Sequence, residues 1–382
     1  MEDILTGSTH PFISVPTMTR TTKGLSVFRG RHARLGVAGL ALAAVSVLPI
    51  SPAPQAEAAE TVGVVEYNLG DNAFTDAPEW EGPAEIRAVV HYPRKINRKL
   101  PVIVLLHGQQ GACYSADENE WPCPAGVAPY PSNRGYDYLA NALARDGFVV
   151  VSPSANGVNF HMGVAPQRAR LVNRHLKLLK QFTTTGGGPL AGHFTDARTG
   201  KRAAVDLKNR LDLSRVGTMG HSVGGEGVMY QAADANRKEL PAGVRIRGVV
   251  SLASPTPSHF YDTLVTKTPL AVISAGCWGL GGEEYFEDAR KHSGTKGFRL
   301  RVVKGNHNYY NTEWTKGPGL TDGDDTTCPN TAGRPSPKQQ QSLAVTYLRS
   351  FYAYTLMDDK SALPVLTGAK KFPGIDTEAK SF

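Results

Sequence analysis

The side chains best suited to catalysis lie in the segment Gly220-His221-Ser222-Val223-Gly224. The apolar run RVGTM precedes this G-x-S-x-G sequence, and GGEGVMYQAADANRK, which has helical character, follows it. This order is typical of a nucleophile elbow, in which a serine occupies a sharp turn between a strand and a helix and its glycine neighbours avoid a Cβ clash. Ser222 is therefore the candidate nucleophile. The alternative is a glycine-rich turn with an incidental serine.

His307 is the candidate general base. It is the one histidine of the 11 in the chain that directly follows a predicted buried strand late in the sequence, in FRLRVVKGNH. The order of serine before histidine fits enzymes that use an elbow serine. We interpret His107, at the end of VIVLLHG, as a structural histidine, and His221 as the variable position of the elbow.

Two backbone N–H groups are candidates for an oxyanion hole. Val223 directly follows the serine, and Gln109 follows His107-Gly108 at the end of a buried run. Each such donor typically stabilises a transition state by about 3 kcal/mol. This chemistry requires no metal ion and no organic cofactor, and the C-x2-C spacing of a structural zinc site is absent from the sequence.

Eight short apolar runs predict the strands that position these residues. They cover 62–67, 86–92, 102–106, 148–152, 215–219, 246–252, 270–274 and 300–303. Several are continuously apolar, which indicates strands buried on both faces and hence a parallel sheet. Amphipathic segments predict helices over 136–145 and 167–182, and a last helix that starts at Ser336-Pro337. The alternation of strand and helix predicts an α/β fold of one domain, with a mostly parallel central sheet covered by helices on both faces.

The first 58 residues have the layout of a secretory signal peptide. Arg29, Arg31 and Arg34 precede the apolar run 35–50, and Ala56-Glu57-Ala58 provides a small-residue cleavage site. Prolines in and after the run disfavour a membrane anchor. We therefore expect a signal peptide over 1–58, one domain over 59–356, a C-terminal tail over 357–382, and an extracellular protein without stable membrane insertion.

Composition and charge exclude several classes of protein. The chain of 382 residues is 41% hydrophobic and 20% charged, which excludes a disordered, collagen-like or coiled-coil protein. Its formal charge of +8 comes from basic residues that are spread along the chain. Because no basic run alternates with aromatic residues, we expect no nucleic-acid partner.

The cysteines predict two disulfides. An even number of cysteines in an exported protein favours full pairing, and four cysteines allow three pairings. Cys113 with Cys123 is the simplest local pair, which leaves Cys277 with Cys328.

Four segments together resemble the secreted actinobacterial α/β-hydrolases known as esterase or lipase-like proteins. They are GHSVGGEG, the His107-Gly108 pair, GYDYLANALARDGFVVVSPSANGVN and KGNHNYYNTEW. The chain is more distantly similar to the chlorophyllase, platelet-activating-factor acetylhydrolase and bacterial polyester hydrolase branch. The resemblance covers roughly residues 62–356. It implies the α/β-hydrolase fold, with Ser222 as nucleophile, His307 as base, and Gln109 and Val223 as oxyanion donors.

The sequence departs from these relatives at the acid of the catalytic triad. The relatives carry an aspartate-rich loop after the seventh strand, whereas this chain has GCWGLGGEE over 276–284. Glu283 and Glu284 are the nearest carboxylates and the first candidates, although acidic residues in a first helical turn often only complement the helix dipole.

Other carboxylates remain candidates for the acid. A disulfide between Cys277 and Cys328 would draw Asp324 and Asp325 towards His307, and triads are recognised by geometry rather than by chain order. Asp262 and Asp288 are further candidates. The absence of any functional acid also stays open.

The residues favour a serine hydrolase that cleaves carboxylic esters through an acyl-enzyme, with a small-molecule, lipid or polymeric ester as substrate. Six aromatic residues near strand ends would line an apolar cleft, or pack in the core: Tyr114, Trp121, Trp278, Tyr309, Tyr310 and Trp314. The alternatives are an exported acyltransferase and a non-catalytic binding protein on a retired hydrolase fold.

Overall fold

A computed structural model of the protein describes residues 61–114, 120–160, 165–279, 281–292, 294–315, 327–328, 330 and 332–382. The predicted signal peptide over 1–58 lies outside these residues. Strands and helices alternate along the described chain, as expected for an α/β protein. No helix in the described ranges is both long and apolar enough to cross a lipid bilayer.

The described strands include all eight that the sequence predicts. They are β1 Val62–Asn68, β2 Phe74–Asp76, β3 Trp80–Ala84, β4 Arg87–Pro93, β5 Leu100–Leu106, β6 Val149–Pro153, β7 Phe194–Asp196, β8 Leu211–His221, β9 Ile246–Leu252, β10 Leu270–Ala275, β11 Gly297–Val302 and β12 Thr377–Ser381. Every residue of β5, β6 and β10 is buried, which agrees with the continuously apolar runs that predicted them.

The central sheet is mixed but mostly parallel. Its strand order is β12-β11-β10-β9-β8-β5-β6-β4-β1-β7, and β2 pairs with β3 separately. The six strands from β11 to β6 in this order are parallel to their neighbours. The strands at both ends are antiparallel. The prediction of a mostly parallel sheet is thus confirmed.

The helices cover both faces of this sheet. They are α1 Asp137–Arg145, α2 Asn156–Phe160, α3 Ala165–Thr185, α4 Val223–Ala232, α5 Glu284–His292, α6 Pro337–Met357 and α7 Leu363–Leu366. Side chains of β5 point alternately into two cores. Val102, Val104 and Leu106 pack with α3, α4 and α5. Ile103 and Leu105 pack with α1 and α6 on the other face.

The start of α6 follows its sequence signals. Ser336 is the N-cap, its side chain accepts a hydrogen bond from the backbone of Gln339, and Pro337 occupies the first turn. Leu343, the first residue of the predicted apolar stripe, is 1% exposed. The sequence therefore specified both where this helix begins and which face it buries.

The predicted C-terminal tail over 357–382 contains regular structure. Both α7 and β12 form within it. β12 pairs antiparallel with β11, with Thr377 opposite Val302 and Ser381 opposite Phe298. The segment therefore covers the edge of β11, which would otherwise expose unpaired backbone groups.

Candidate active site

Strand register brings the candidate residues to one edge of the sheet. Leu106 of β5 lies opposite Gly220 of β8, and Gly220 in turn lies opposite Ser251 of β9. Because these strands are parallel, the segments that follow them begin at the same edge. His107 and Ser222 therefore leave the sheet side by side.

Ser222 occupies a strained turn between β8 and α4. Its backbone angles are φ 58° and ψ −136°, a conformation that costs a non-glycine residue on the order of 1–3 kcal/mol. The flanking glycines are required sterically: a Cβ at Gly220 would lie 2.0 Å from the carbonyl oxygen of Gly224, and a Cβ at Gly224 would lie 2.6 Å from that of His107. The sharp strand-to-helix turn expected from the sequence is present.

The hydroxyl of Ser222 is not used to cap α4. Ser222 is the N-cap residue by position, yet within the described chain its side chain makes no capping hydrogen bond. Its residue exposure is 6%, so the group is enclosed by its surroundings. A buried oxygen at a helix N-terminus experiences the positive end of the helix dipole, which favours negative charge there.

The loop after β5 packs directly against this serine. A Cβ at Gly108 would lie 2.4 Å from the Ser222 Cβ and 3.0 Å from its Oγ, so only glycine fits at this position. The carbonyl oxygen of Gly108 accepts hydrogen bonds from His107 Nδ1 at 2.8 Å and from Asn159 Nδ2 at 3.3 Å. The peptide bond between Gly108 and Gln109 is trans, so the N–H of Gln109 points in the direction opposite to the Gly108 carbonyl oxygen. It therefore points away from the side chains of His107 and Asn159.

His107 is a structural residue in this arrangement, as interpreted from the sequence. Its Nδ1–H donates to Gly108, and its Nε2 accepts from the backbone N–H of Ala155 at 2.8 Å. Both ring nitrogens are therefore occupied by the fold. Burial lowers the pKa of His107 to about 3, which keeps the ring neutral and its tautomer fixed.

His307 lies after β11, at the start of a short turn over Asn308–Tyr310, and is 4% exposed. Its Nδ1 is 2.8 Å from the side-chain oxygen of Asn308. Because an amide oxygen can only accept, Nδ1 carries the proton and Nε2 is the basic nitrogen. The preceding residue, Asn306, is bound through its backbone to Gln340 of α6, so this helix and β11 together position the histidine.

His221 links the elbow to His307, which the sequence interpretation missed. Its Nε2–H donates to the carbonyl oxygen of His307 at 3.0 Å, and its Nδ1 accepts from the hydroxyl of Tyr136 at 2.9 Å. Its ring stacks on Trp314 with centroids 4.6 Å apart. Burial lowers the pKa of His221 well below its usual value, so a neutral ring bridges the two segments. Only the adjacency of this residue to Ser222 hinted at such a role.

The aromatic residues divide into packing and surface groups. Trp314 and Tyr310 are buried, and the Trp314 indole N–H donates to Ser132 at 3.0 Å. The Trp278 ring is half-buried, with its centroid 4.1 Å from that of His307. Tyr114 is 59% exposed. Trp278 is thus the aromatic residue placed closest to the site, and the buried ones are packing residues.

Glu283 contacts basic side chains of β11 rather than the histidine. Its carboxylate forms an ion pair with Arg299, lies 3.9 Å from Arg301 Nε, and accepts a hydrogen bond from Ser274 at 2.9 Å. The guanidinium of Arg299 is 8% exposed and requires a counter-charge. The predicted role of Glu283 as the acid is therefore not supported by its position.

The other three described candidates for the acid are also engaged away from His307. Glu284 is exposed and accepts a hydrogen bond from the backbone of Gly282 at 3.0 Å, as a first-turn acidic residue commonly does. Asp288 pairs with Lys291 at 3.1 Å. Asp262 accepts from the backbone of Leu264 at 2.9 Å. The structure brings none of these carboxylates to the histidine.

Asp324 and Asp325 lie outside the described residues, but the chain that follows them is anchored near the site. Thr327 donates its backbone N–H to the carbonyl oxygen of Cys277 at 3.1 Å, and Cys277 forms a disulfide with Cys328. Cys277 precedes Trp278, whose ring contacts His307. Residues 327 and 328, which follow the aspartates in the chain, are therefore tied to the end of β10.

Both predicted disulfides are confirmed. Cys113 pairs with Cys123 over a separation of 10 residues, and Cys277 pairs with Cys328 over 51. Trp121, inside the first disulfide loop, is 4% exposed and packs against Cys113. In the described part of the chain, no group of three or more histidine, cysteine, aspartate or glutamate side chains is arranged to hold a metal ion.

The fold and this site define a mixed α/β protein that carries a serine on a strained strand-to-helix turn. Comparison with protein-family models gives no match, and a search of curated proteins gives none. We therefore infer the function from the geometry of the site.

Proposed function

We propose that the chain is a secreted α/β-hydrolase that cleaves carboxylic esters through an acyl-enzyme, with Ser222 as nucleophile and His307 as general base. The observation that carries the proposal is the strained backbone of Ser222. A non-glycine residue keeps such a conformation only where its surroundings enforce it, and strain of this kind clusters at catalytic sites. At the end of a parallel strand and the start of a helix, it is the geometry of a nucleophile elbow.

The proposed reaction begins with proton transfer from Ser222 to Nε2 of His307 as the hydroxyl attacks the ester carbonyl. The tautomer at His307 suits this step, because Asn308 accepts the proton on Nδ1 and leaves Nε2 basic. Protonated Nε2 then passes its proton to the leaving alcohol. Water then attacks the acyl-enzyme carbonyl while Nε2 takes its proton, and return of that proton to Ser222 releases the carboxylic acid.

The oxyanion of each tetrahedral intermediate would be held by the backbone N–H groups of Gln109 and Val223. The fixed Gly108 carbonyl supports the first of these donors, because it sets the direction of the Gln109 N–H. The second is supported by the position of Val223 in the first turn of α4. Such preorganised donors typically contribute about 3 kcal/mol each.

Substrate and location follow from less direct observations. Trp278 places an apolar surface beside His307, which favours an ester with an apolar acyl or aryl group, whether a small molecule, a lipid or a polymer. Two disulfides with no free cysteine among the described residues favour an oxidising, extracellular location.

A non-catalytic binding protein on the same fold is the second candidate. The observation in its favour is that an amide, rather than a carboxylate, contacts Nδ1 of His307 among the described residues. An amide orients the ring but cannot balance the charge of an imidazolium.

Hydrolysis of p-nitrophenyl esters of graded acyl length tests the proposal. We expect Ser222→Ala and His307→Ala each to abolish release of p-nitrophenol while far-ultraviolet circular dichroism stays unchanged. Ser342→Ala and His193→Ala, which alter exposed residues, are the matched controls and should keep full activity. Hydrolysis retained by a folded Ser222→Ala protein, or no hydrolysis of any ester by the parent, would contradict the proposal.

A further inference from the structure

A basic groove lies at the end of the sheet opposite Ser222. It has a volume of about 520 Å³, and Ile246 and Leu356 contribute apolar surface to it. It opens at the beginnings of β8 and β9, whereas the serine follows the end of β8. From Val216 to Ser222 the strand advances about 3.3 Å per residue, so the two sites are roughly 20 Å apart.

Six cationic side chains line this groove. They are Arg215, Arg237, Arg245, Arg247, Lys267 and Lys360. The only lining carboxylate among the described residues is Asp358. Arg215 pairs with Asp212 at 2.7 Å, and Lys267 lies 3.9 Å from Asp234. Within the described chain no salt bridge engages the other four cations, so the groove carries an excess of positive charge.

The register of β8 and β9 concentrates two of the arginines. Val216 lies opposite Ile246 and Gly217 lies opposite Gly248, so Arg247 is an extra residue in β9. Ile246 is buried, whereas Arg245 and Arg247 on either side of it are exposed. Arg247 lies on β9 and Arg245 directly precedes this strand, and the backbone of Arg245 is hydrogen-bonded to Leu213 and Val216 on either side of Arg215.

We propose that this groove binds an anion that carries two or more phosphate groups. A concave surface lined by charges of one sign focuses its potential, and a multivalent anion neutralises several cations at once. Four of the six cations are arginines, whose planar fork pairs with phosphate through two parallel hydrogen bonds. The site is independent of the proposed esterase activity, because none of its residues lies at Ser222 or His307.

Titration calorimetry with inorganic tripolyphosphate tests this proposal. We expect tripolyphosphate to bind at least about tenfold more tightly than monophosphate. Its affinity should fall as the NaCl concentration is raised. The variant Arg245→Gln/Arg247→Gln should lose about tenfold or more in tripolyphosphate affinity. Because both arginines are exposed and unpaired among the described residues, its melting temperature should match that of the parent.

The matched control is Arg198→Gln/Lys201→Gln, which removes the same charge from an exposed loop after β7. It should change the affinity less than twofold. Equal binding of monophosphate and tripolyphosphate, or equal loss in both double variants, would mean general charge attraction and would overturn the proposal. So would binding to phosphatidylglycerol vesicles without any binding of tripolyphosphate.

Discussion

Replacement of Glu283 by glutamine separates a structural role from a catalytic one. The change removes the charge that pairs with Arg299, whose side chain is 8% exposed, while that of Glu283 is 27% exposed. Breaking a fully buried pair costs about 3–5 kcal/mol, because the remaining charge is left without a partner. Here the carboxylate is partly solvated and Glu378 remains 3.9 Å from Arg299, so we expect a loss of about 2 kcal/mol.

The expected change in melting temperature follows from the size of the domain. The unfolding entropy of a domain of this length is roughly 0.7 kcal/mol per kelvin. A loss of about 2 kcal/mol in unfolding free energy therefore lowers the melting temperature by about 3 °C. We expect kcat for p-nitrophenyl butyrate to change less than twofold. Differential scanning calorimetry and steady-state kinetics on the same preparation measure both quantities.

Glu284→Gln is the matched control for this variant. Its carboxylate is exposed and, among the described residues, accepts a hydrogen bond only from the backbone N–H of Gly282, so both melting temperature and kcat should stay near those of the parent. A loss of at least about 100-fold in kcat by Glu283→Gln at unchanged melting temperature would refute the structural assignment and restore Glu283 as the acid of the triad.

Three further predictions concern the histidines and the acid. Burial lowers the pKa of three histidines to about 3: His91, His107 and His175. In the unfolded chain these histidines bind protons below pH 6.5, whereas in the folded protein they stay neutral down to about pH 3. Each should therefore lower the unfolding free energy by about 1.4 kcal/mol for every pH unit by which the pH falls from 6.5 towards 3. A urea midpoint that does not change with pH in this range would contradict the prediction. His221→Phe keeps an aromatic ring at this position but removes the hydrogen bonds to the Tyr136 hydroxyl and the His307 carbonyl, so kcat should fall about tenfold with little change in KM. Unchanged kcat would contradict a positioning role for His221. Asp324→Asn/Asp325→Asn should lower kcat by at least about 100-fold if this segment supplies the acid, and full activity in this variant would exclude it.

Much of the sheet and the elbow was predictable because local sequence determines them. Strands buried on both faces must be mostly apolar, as β5 and β10 are. The elbow requires glycine where a Cβ would meet the backbone, as at Gly220 and Gly224. At such positions the steric requirement determines the residue type, so the requirement can be inferred from the sequence.

The features that sequence reasoning missed depend on partners distant in the chain. β12 is polar and mostly exposed, and only the open edge of β11 makes it a strand. Glu283 pairs with a residue 16 positions away, although the charged Arg299 within an apolar run indicated that some partner was needed. Tyr136, which binds His221, lies 85 positions upstream of it. Such pairs are set by how the helices pack on the sheet.

Labelling with a fluorophosphonate probe, followed by peptide mass spectrometry, tests the central claim most directly. Such a probe reacts with a serine whose hydroxyl is activated by a base and whose phosphonyl oxygen an oxyanion hole can accept. We predict one modification per chain, on the peptide that contains Ser222, and at least about 100-fold slower labelling in His307→Ala. Absence of labelling in the folded parent, or modification of another serine, would contradict the assignment of Ser222 as a catalytic nucleophile.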